Sequence, residues 1–206
     1  MRDMTAQERF WQGEFGDAYV DRNTGAAAVA SSLAFFARAL ARAGTLGSVL
    51  ELGTNRGLNL QALRALLPHA QLQGVELNGK ACALARTLNV ADIWEGSLFD
   101  YPVTAGFDLA FTKGVLIHLP PDLLPAAYDK LYQASRRFIL VAEYYNPSPV
   151  EVSYRGHAER LFKRDFAGDL LDRHADLRLL DYGFVYHRDP LFPADDISWF
   201  LLEKQA

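Results

Sequence analysis

Val49-Leu50-Glu51-Leu52-Gly53-Thr54-Asn55-Arg56-Gly57 runs from an apolar segment into a turn bracketed by glycines. Such a turn lets backbone approach a ligand at the open edge of an α/β sheet. Glu51, two residues before Gly53, adds a carboxylate that repels phosphate and suits a ligand carrying an ammonium and a sulfonium. S-adenosyl-L-methionine has both. Glu76 follows Gly57 at close to the roughly 20 residues where an acidic side chain accepts hydrogen bonds from ribose hydroxyls. Leu77 adjoins it, and at the end of a third short run Gly96, Ser97 and Leu98 offer a hydroxyl and backbone groups to an adenine edge. A pyrophosphate fingerprint needs a central glycine where this chain has Asn55, which weighs against NAD. Gly74 to Lys80 imitates the start of a phosphate loop, but Ala81 replaces the hydroxyl residue that would hold magnesium and Glu76 sits inside it. An NTPase is excluded.

A second set of residues fits the acceptor side of a methyl transfer, a displacement in which positioning supplies much of the catalysis. A hydroxyl acceptor benefits from a general base, whereas a carboxylate acceptor needs none. His118, just past the run Phe107–Thr112, has an ordinary pKa of about 6.5 that suits a base; a hydrogen-bonded structural histidine is the other reading. Glu143 ends the next apolar run and is a second candidate base. Tyr145 and Asn146 follow it with polar hydrogen-bonding groups, and Lys113, at the same edge, joins the cofactor set. Arg155, His157 and Lys163, with Arg164, form a basic cluster able to pair with an acidic substrate. Near the N-terminus, Trp11, Phe15 and Tyr19 recur at helical spacing and, with Arg22 and Asn23, read either as core or as a lid that excludes water and holds a cofactor carboxylate.

These residues require a scaffold that alternates. Apolar runs at Ser48–Leu52, Gln71–Leu77, Asp92–Glu95, Phe107–Thr112 and Phe138–Glu143 are separated by helical patterns at Leu58–Leu67, Gly79–Leu88 and Asp122–Ser135. An Ala-rich helix precedes them, and a short one, Asp165–Arg173, follows. Strand, helix, strand at this spacing predicts right-handed crossovers and a doubly wound, mostly parallel sheet with helices on both faces. Leu177–Tyr186 and Ile197–Glu203 lie too close for another helical crossover and predict an antiparallel pair at one edge, seven strands in all with the last reversed.

The motif Glu51-x-Gly53-x-x-x-Gly57, then Glu76, then Phe107 to His118, resembles the class I S-adenosylmethionine-dependent methyltransferases. The two ends narrow the likeness. Phe10-Trp11-x-Gly13-x-Phe15-Gly16-x-x-Tyr19-x-x-Arg22-Asn23, Tyr154-Arg155-Gly156-His157, Leu161 to Phe166, Asp181 to Asp189 and Trp199 to Lys204 resemble the methylases associated with pseudaminic acid biosynthesis. The resemblance implies a Rossmann-like fold, S-adenosyl-L-methionine as cofactor, and an acidic nonulosonic sugar, its nucleotide-activated form or a glycan containing it as acceptor. An NAD-dependent sugar oxidoreductase and a catalytically silent cofactor-binding partner subunit stay open as alternatives. A nucleobase amino methyltransferase is disfavoured by Thr112-Lys113-Gly114 where such enzymes carry an Asn/Asp-Pro-Pro-aromatic run.

With 206 residues, the chain is expected to form one domain over 1–206, with a lid segment at 1–25 and a substrate-side insertion at 146–175. It is 50% hydrophobic and 22% charged, an ordinary folded composition. A net charge of −4 gives no footprint for nucleic acid, and no run is long and apolar enough to span a membrane. Cys82 is the only cysteine, which fits a reducing cytoplasm. His69 and His174 lack metal-ligand spacing, so no metal is expected.

Overall fold

The computed structural model describes residues 2–22, 25–156 and 160–205. Asn23 and His157, both given roles above, lie outside the described residues. The chain begins with two short helices, α1 (Ala6–Gln12) and α2 (Glu14–Val20), then the longer α3 (Ala26–Ala39). A capping box starts α1: Thr5 Oγ1 accepts from the Glu8 amide at 3.0 Å and Glu8 accepts from the Thr5 amide at 2.7 Å. There follow β1 (Ser48–Leu52), α4 (Leu58–Leu66), β2 (Gln71–Glu76), α5 (Gly79–Thr87), β3 (Asp92–Glu95), β4 (Phe107–Lys113), α6 (Leu124–Ala134) and β5 (Ser135–Glu143). The tail carries β6 (Val150–Glu151), β7 (Phe162–Lys163), α7 (Phe166–Arg173), β8 (Leu177–Val185) and β9 (Ile197–Lys204).

Seven strands form one sheet in the order β3-β2-β1-β4-β5-β9-β8. The first five are parallel, and β9 runs antiparallel to both its neighbours, β5 and β8. This is the expected mixed, doubly wound α/β sheet with its antiparallel edge pair. The period of two divides side chains between two cores. Leu50, Leu52, Ile139 and Val141 face α6 and α7, while Val49, Leu109, Phe111 and Leu140 face α3 and α4. All five residues of β1 are buried, because helices cover the sheet on both sides.

Three details differ from the expectation. The helix expected over Asp122–Ser135 opens as a 3₁₀ turn at Pro121–Leu123, since Pro121 and Pro125 remove early amide donors, and is α-helical only from Leu124 to Ala134. The following strand starts earlier, at Ser135. Within 146–175, β6 and β7 pair as a small antiparallel ladder, Val150 with Lys163 and Glu151 with Phe162, too short to leave a periodic signal. No helix among the described residues is long and apolar enough to cross a membrane.

Candidate functional site

A cleft of about 650 Å³ lies at the carboxyl ends of β1, β2 and β4, roofed by α1 and α2 and flanked by α3 and the loop 193–195. The turn after β1 forms its floor. Gly53, Asn55 and Gly57 have φ of 82°, 48° and 85°, the left-handed region. Asparagine tolerates this region better than other side-chain-bearing residues, so Asn55 supplies the backbone shape a central glycine would give. Gly53 and Asn55 line the cleft; Gly57 lies behind it, where a side chain would press on Ala85 of α5 and on Leu88 just after it.

Glu76, the residue expected to face a ribose, lines the cleft. Its oxygens accept the amides of Asn55 at 2.6 Å, Leu77 at 2.9 Å and Asn78 at 2.8 Å. About four lone-pair sites on a carboxylate leave Oε2 one further acceptor position toward the cleft. Burial holds the Glu76 pKa above the usual carboxylate range, opposed by those amides. Leu77, Gly96, Ser97 and Leu98 line the cleft beside it.

Glu51 is placed differently from the expectation. It is fully buried and does not line the cleft; its carboxylate accepts from Thr54 Oγ1 at 2.5 Å and Asn59 Nδ2 at 2.6 Å, and those two residues line the wall in its stead. β1 is buried on both faces, so sequence period could not tell which way Glu51 points. Burial pushes its pKa up to about 7, against the hydrogen bonds from Thr54 and Asn59. The folded state therefore keeps a proton that the unfolded chain has released. This stabilisation is complete below the ordinary value of 4.5 and is lost as pH rises through 7. Urea titrations across that interval are expected to show Glu51→Gln reducing the fall in unfolding free energy by about 3 kcal/mol and leaving the part due to Glu143; an unchanged slope would remove Glu51 as a source.

The N-terminal segment is fastened over the cleft. Glu8, buried, receives both Arg2 and the Ser97 hydroxyl, and its carboxyl is held down at about 2 by these partners in spite of burial. Ser97 thus donates its hydroxyl hydrogen bond to Glu8, although an adenine edge was the expected partner. On α5, Asn78 Nδ2 donates to the Trp11 carbonyl at 3.2 Å and Asp17 Oδ1 at 2.8 Å, while its Oδ1 caps the helix by accepting from Ala81. Arg56 donates to the Val20 carbonyl at 3.1 Å. Trp11, Tyr19 and Arg22 line the cleft from above.

His118 ends a 3₁₀ turn, Leu116–His118, and lines the cleft beneath Trp11, ring centroids 4.6 Å apart, and Tyr154, 4.9 Å. Its Nδ1 is 2.6 Å from the Arg160 carbonyl, which can only accept, so Nδ1 carries the hydrogen and Nε2 the lone pair. Burial lowers its pKa to about 4.

Glu143, the other candidate base, points away from the cleft. It accepts the amides of Val115 and Leu116 at 3.1 Å and of Ile117 at 3.3 Å, the donors at the start of the His118 turn. Tyr145 packs near Phe200, Asn146 Nδ2 donates to the Ser148 carbonyl at 2.6 Å, and Lys163 lies over the Tyr144 ring at 5.4 Å. None of these three lines the cleft. Arg155 does, at the rim, with its guanidinium 5.6 Å over Tyr154. Lys113 lines the floor.

Glu8, Asn59, Asn78 and Asp195 were not anticipated from the sequence. The Asn78 cap was readable from Leu77-Asn78-Gly79 before a helical run. Asp195 reaches the cleft only through the path of the loop between β8 and β9, which no local pattern records.

No protein-family model matches the chain, and no curated protein matches it. Solved structures do. The chain superposes over its full length on 93% of the 1,6-didemethyltoxoflavin-N1-methyltransferase of Burkholderia thailandensis, solved with bound 1,6-didemethyltoxoflavin and S-adenosylhomocysteine, at TM-score 0.72 and 16% identity. It matches the magnesium protoporphyrin IX methyltransferase of Synechocystis PCC 6803 with bound SAM over 100% of both chains, at TM-score 0.67 and 13% identity. The Mitomycin 7-O-methyltransferase is similar over 97% of this chain and 61% of its own, at 0.70 and 16%. At these identities the likeness shows the fold.

Proposed function

We propose that this protein is an S-adenosylmethionine-dependent methyltransferase that methylates an oxygen of a small acidic sugar of the nonulosonic type, free, nucleotide-activated or within a glycan. The observation that carries the reading is the cleft itself. A left-handed glycine turn after β1 and a carboxylate with one open acceptor site after β2 meet at the carboxyl edge of a sheet shared with methyltransferases solved with SAM or S-adenosylhomocysteine. The donor set fits such a ligand: Glu76 for a ribose hydroxyl, Leu77 and Leu98 for the base, and Lys113 or Arg22 for a carboxylate. Glu51 sits one layer back and supports Thr54 and Asn59. The acidic sugar rests on the resemblance of the two chain ends, and Lys113, Arg155 and His187 on the cleft walls are in keeping with an anionic acceptor.

When bound, the cofactor supplies an electrophilic methyl group on sulfur. The chain's own residues position and shield. Trp11 and Tyr19 cover the cleft and exclude water. His118 offers an acceptor lone pair at Nε2 while its Nδ1 hydrogen is committed to Arg160. A pKa of about 4 leaves His118 neutral and a weak proton acceptor near pH 7. That favours an acceptor oxygen already ionised, a carboxylate, over a neutral hydroxyl. Calorimetric titration is expected to give saturable binding of S-adenosylhomocysteine and none of NAD. Binding of NAD would transfer the reading to an oxidoreductase, binding of S-adenosylhomocysteine without turnover of any acceptor to a silent partner, and binding of neither would overturn it. Among turnover products, a methyl group released by mild alkali would identify the carboxylate ester.

A further inference from the structure

Lys113 stands at the carboxyl end of β4 on the cleft floor, partly buried. Its ammonium has no hydrogen-bond acceptor among the described residues; the face of Phe35, 5.6 Å away, is its one cation–π contact. Three carboxylates lie within its field, those of Glu51, Asp195 and Glu143, and none forms an ion pair with it. Two are already committed. Glu51 serves Thr54 and Asn59, and Glu143 serves three backbone amides. Asp195 is exposed on the opposite loop. A cation on a cleft floor with neither an ion-pair nor a hydrogen-bond partner among the described residues is open to an anionic ligand.

Resting on the methyltransferase reading, we infer that Lys113 is the receptor for a carboxylate bound in the cleft. The carboxylate has two sources, the amino-acid end of the cofactor and the acidic acceptor, and the chemistry at Lys113 is the same for both. An ammonium above an aromatic face, in a cleft roofed by α1 and α2, binds such a group more strongly than an exposed lysine does. Burial lowers the lysine's own pKa, and an anion would reverse that effect.

The test compares wild type, Lys113→Met and Lys113→Arg by calorimetry against S-adenosylhomocysteine, against 5′-methylthioadenosine, which keeps the nucleoside and thioether but lacks the amino-acid end, and against N-acetylneuraminate. If the cofactor's carboxylate is held, Lys113→Met weakens S-adenosylhomocysteine at least about tenfold, leaves methylthioadenosine unchanged, and Lys113→Arg recovers part of the loss. If the acceptor's carboxylate is held, both nucleosides bind all three proteins alike and only N-acetylneuraminate loses affinity in Lys113→Met. Equal affinities for every ligand in Lys113→Met and wild type, or no Lys113-dependent carboxylate binding, overturns the inference. Should wild type bind N-acetylneuraminate through Lys113 yet take neither nucleoside, the methyltransferase reading fails while the carboxylate receptor stands.

Discussion

Gly16→Ala is expected to loosen α1 and α2 from the cleft and to lower the affinity for S-adenosylhomocysteine by roughly 10–100-fold, while the thermal midpoint of the sheet moves little. A Cβ at residue 16 would lie 1.8 Å from the Trp11 carbonyl oxygen and 2.7 Å from its carbon. Alanine is the better helix former by about 1 kcal/mol. Backbone overlap outweighs that gain, because no rotamer change can relieve it. The displaced carbonyl also accepts from Asn78 Nδ2, so the α5 contact is lost with it. Trp11, Tyr19 and Arg22 would then cease to cover the cleft, whereas the two cores gain and lose nothing. Limited proteolysis reads the same event as faster cleavage near residues 13–25. Wild-type affinity together with wild-type protease resistance would show that the hairpin accommodates the methyl group and that closure does not depend on Gly16.

Glu143→Ala is expected to cost about 3–5 kcal/mol of stability, enough to depress the midpoint on the order of 10 °C. Three amides, those of Val115, Leu116 and Ile117, lose their acceptor in a buried place, each at about 1–3 kcal/mol. Part is offset because the buried carboxyl itself, pushed up to about 7, is no longer withdrawn from water. Glu143→Gln keeps one carbonyl oxygen to accept and should fall between the two. Differential scanning calorimetry orders the three proteins. A catalytic base predicts the opposite pattern: both variants stable, both inactive, and that outcome would return Glu143 to the chemistry.

What could be read from the sequence was whatever local pattern controls. Alternating apolar runs and breakers give the parallel body of the sheet, and the closeness of the last two runs gives the antiparallel pair. Gly53, Asn55, Glu76 and Ser97 reach the cleft because strand ends in a doubly wound sheet converge there. Direction was not readable. Glu51 and Glu143 lie at the carboxyl ends of strands buried on both faces there, so the same spacing that brought them to the right edge left open whether they meet ligand or the protein's own donors. Tyr145, Asn146 and Lys163 leave the cleft because the chain after β5 turns into the β6–β7 ladder, whose two-residue strands carry no period. Glu8 and Asp195 depend on contacts between segments 89 or more residues apart in the first case and on a loop path in the second.

The strand order has a consequence for synthesis. β8 touches the sheet only through β9, which enters between it and β5. A nascent chain that has emerged as far as Val185 therefore holds a finished parallel body and a nine-residue strand with neither edge occupied. At about 5–20 residues per second, β9 follows within a few seconds. During that interval Leu179, Tyr182 and Phe184 stand on an unpaired ribbon, and the ribosome's pace from Val185 to Lys204 sets how long another chain has to capture it.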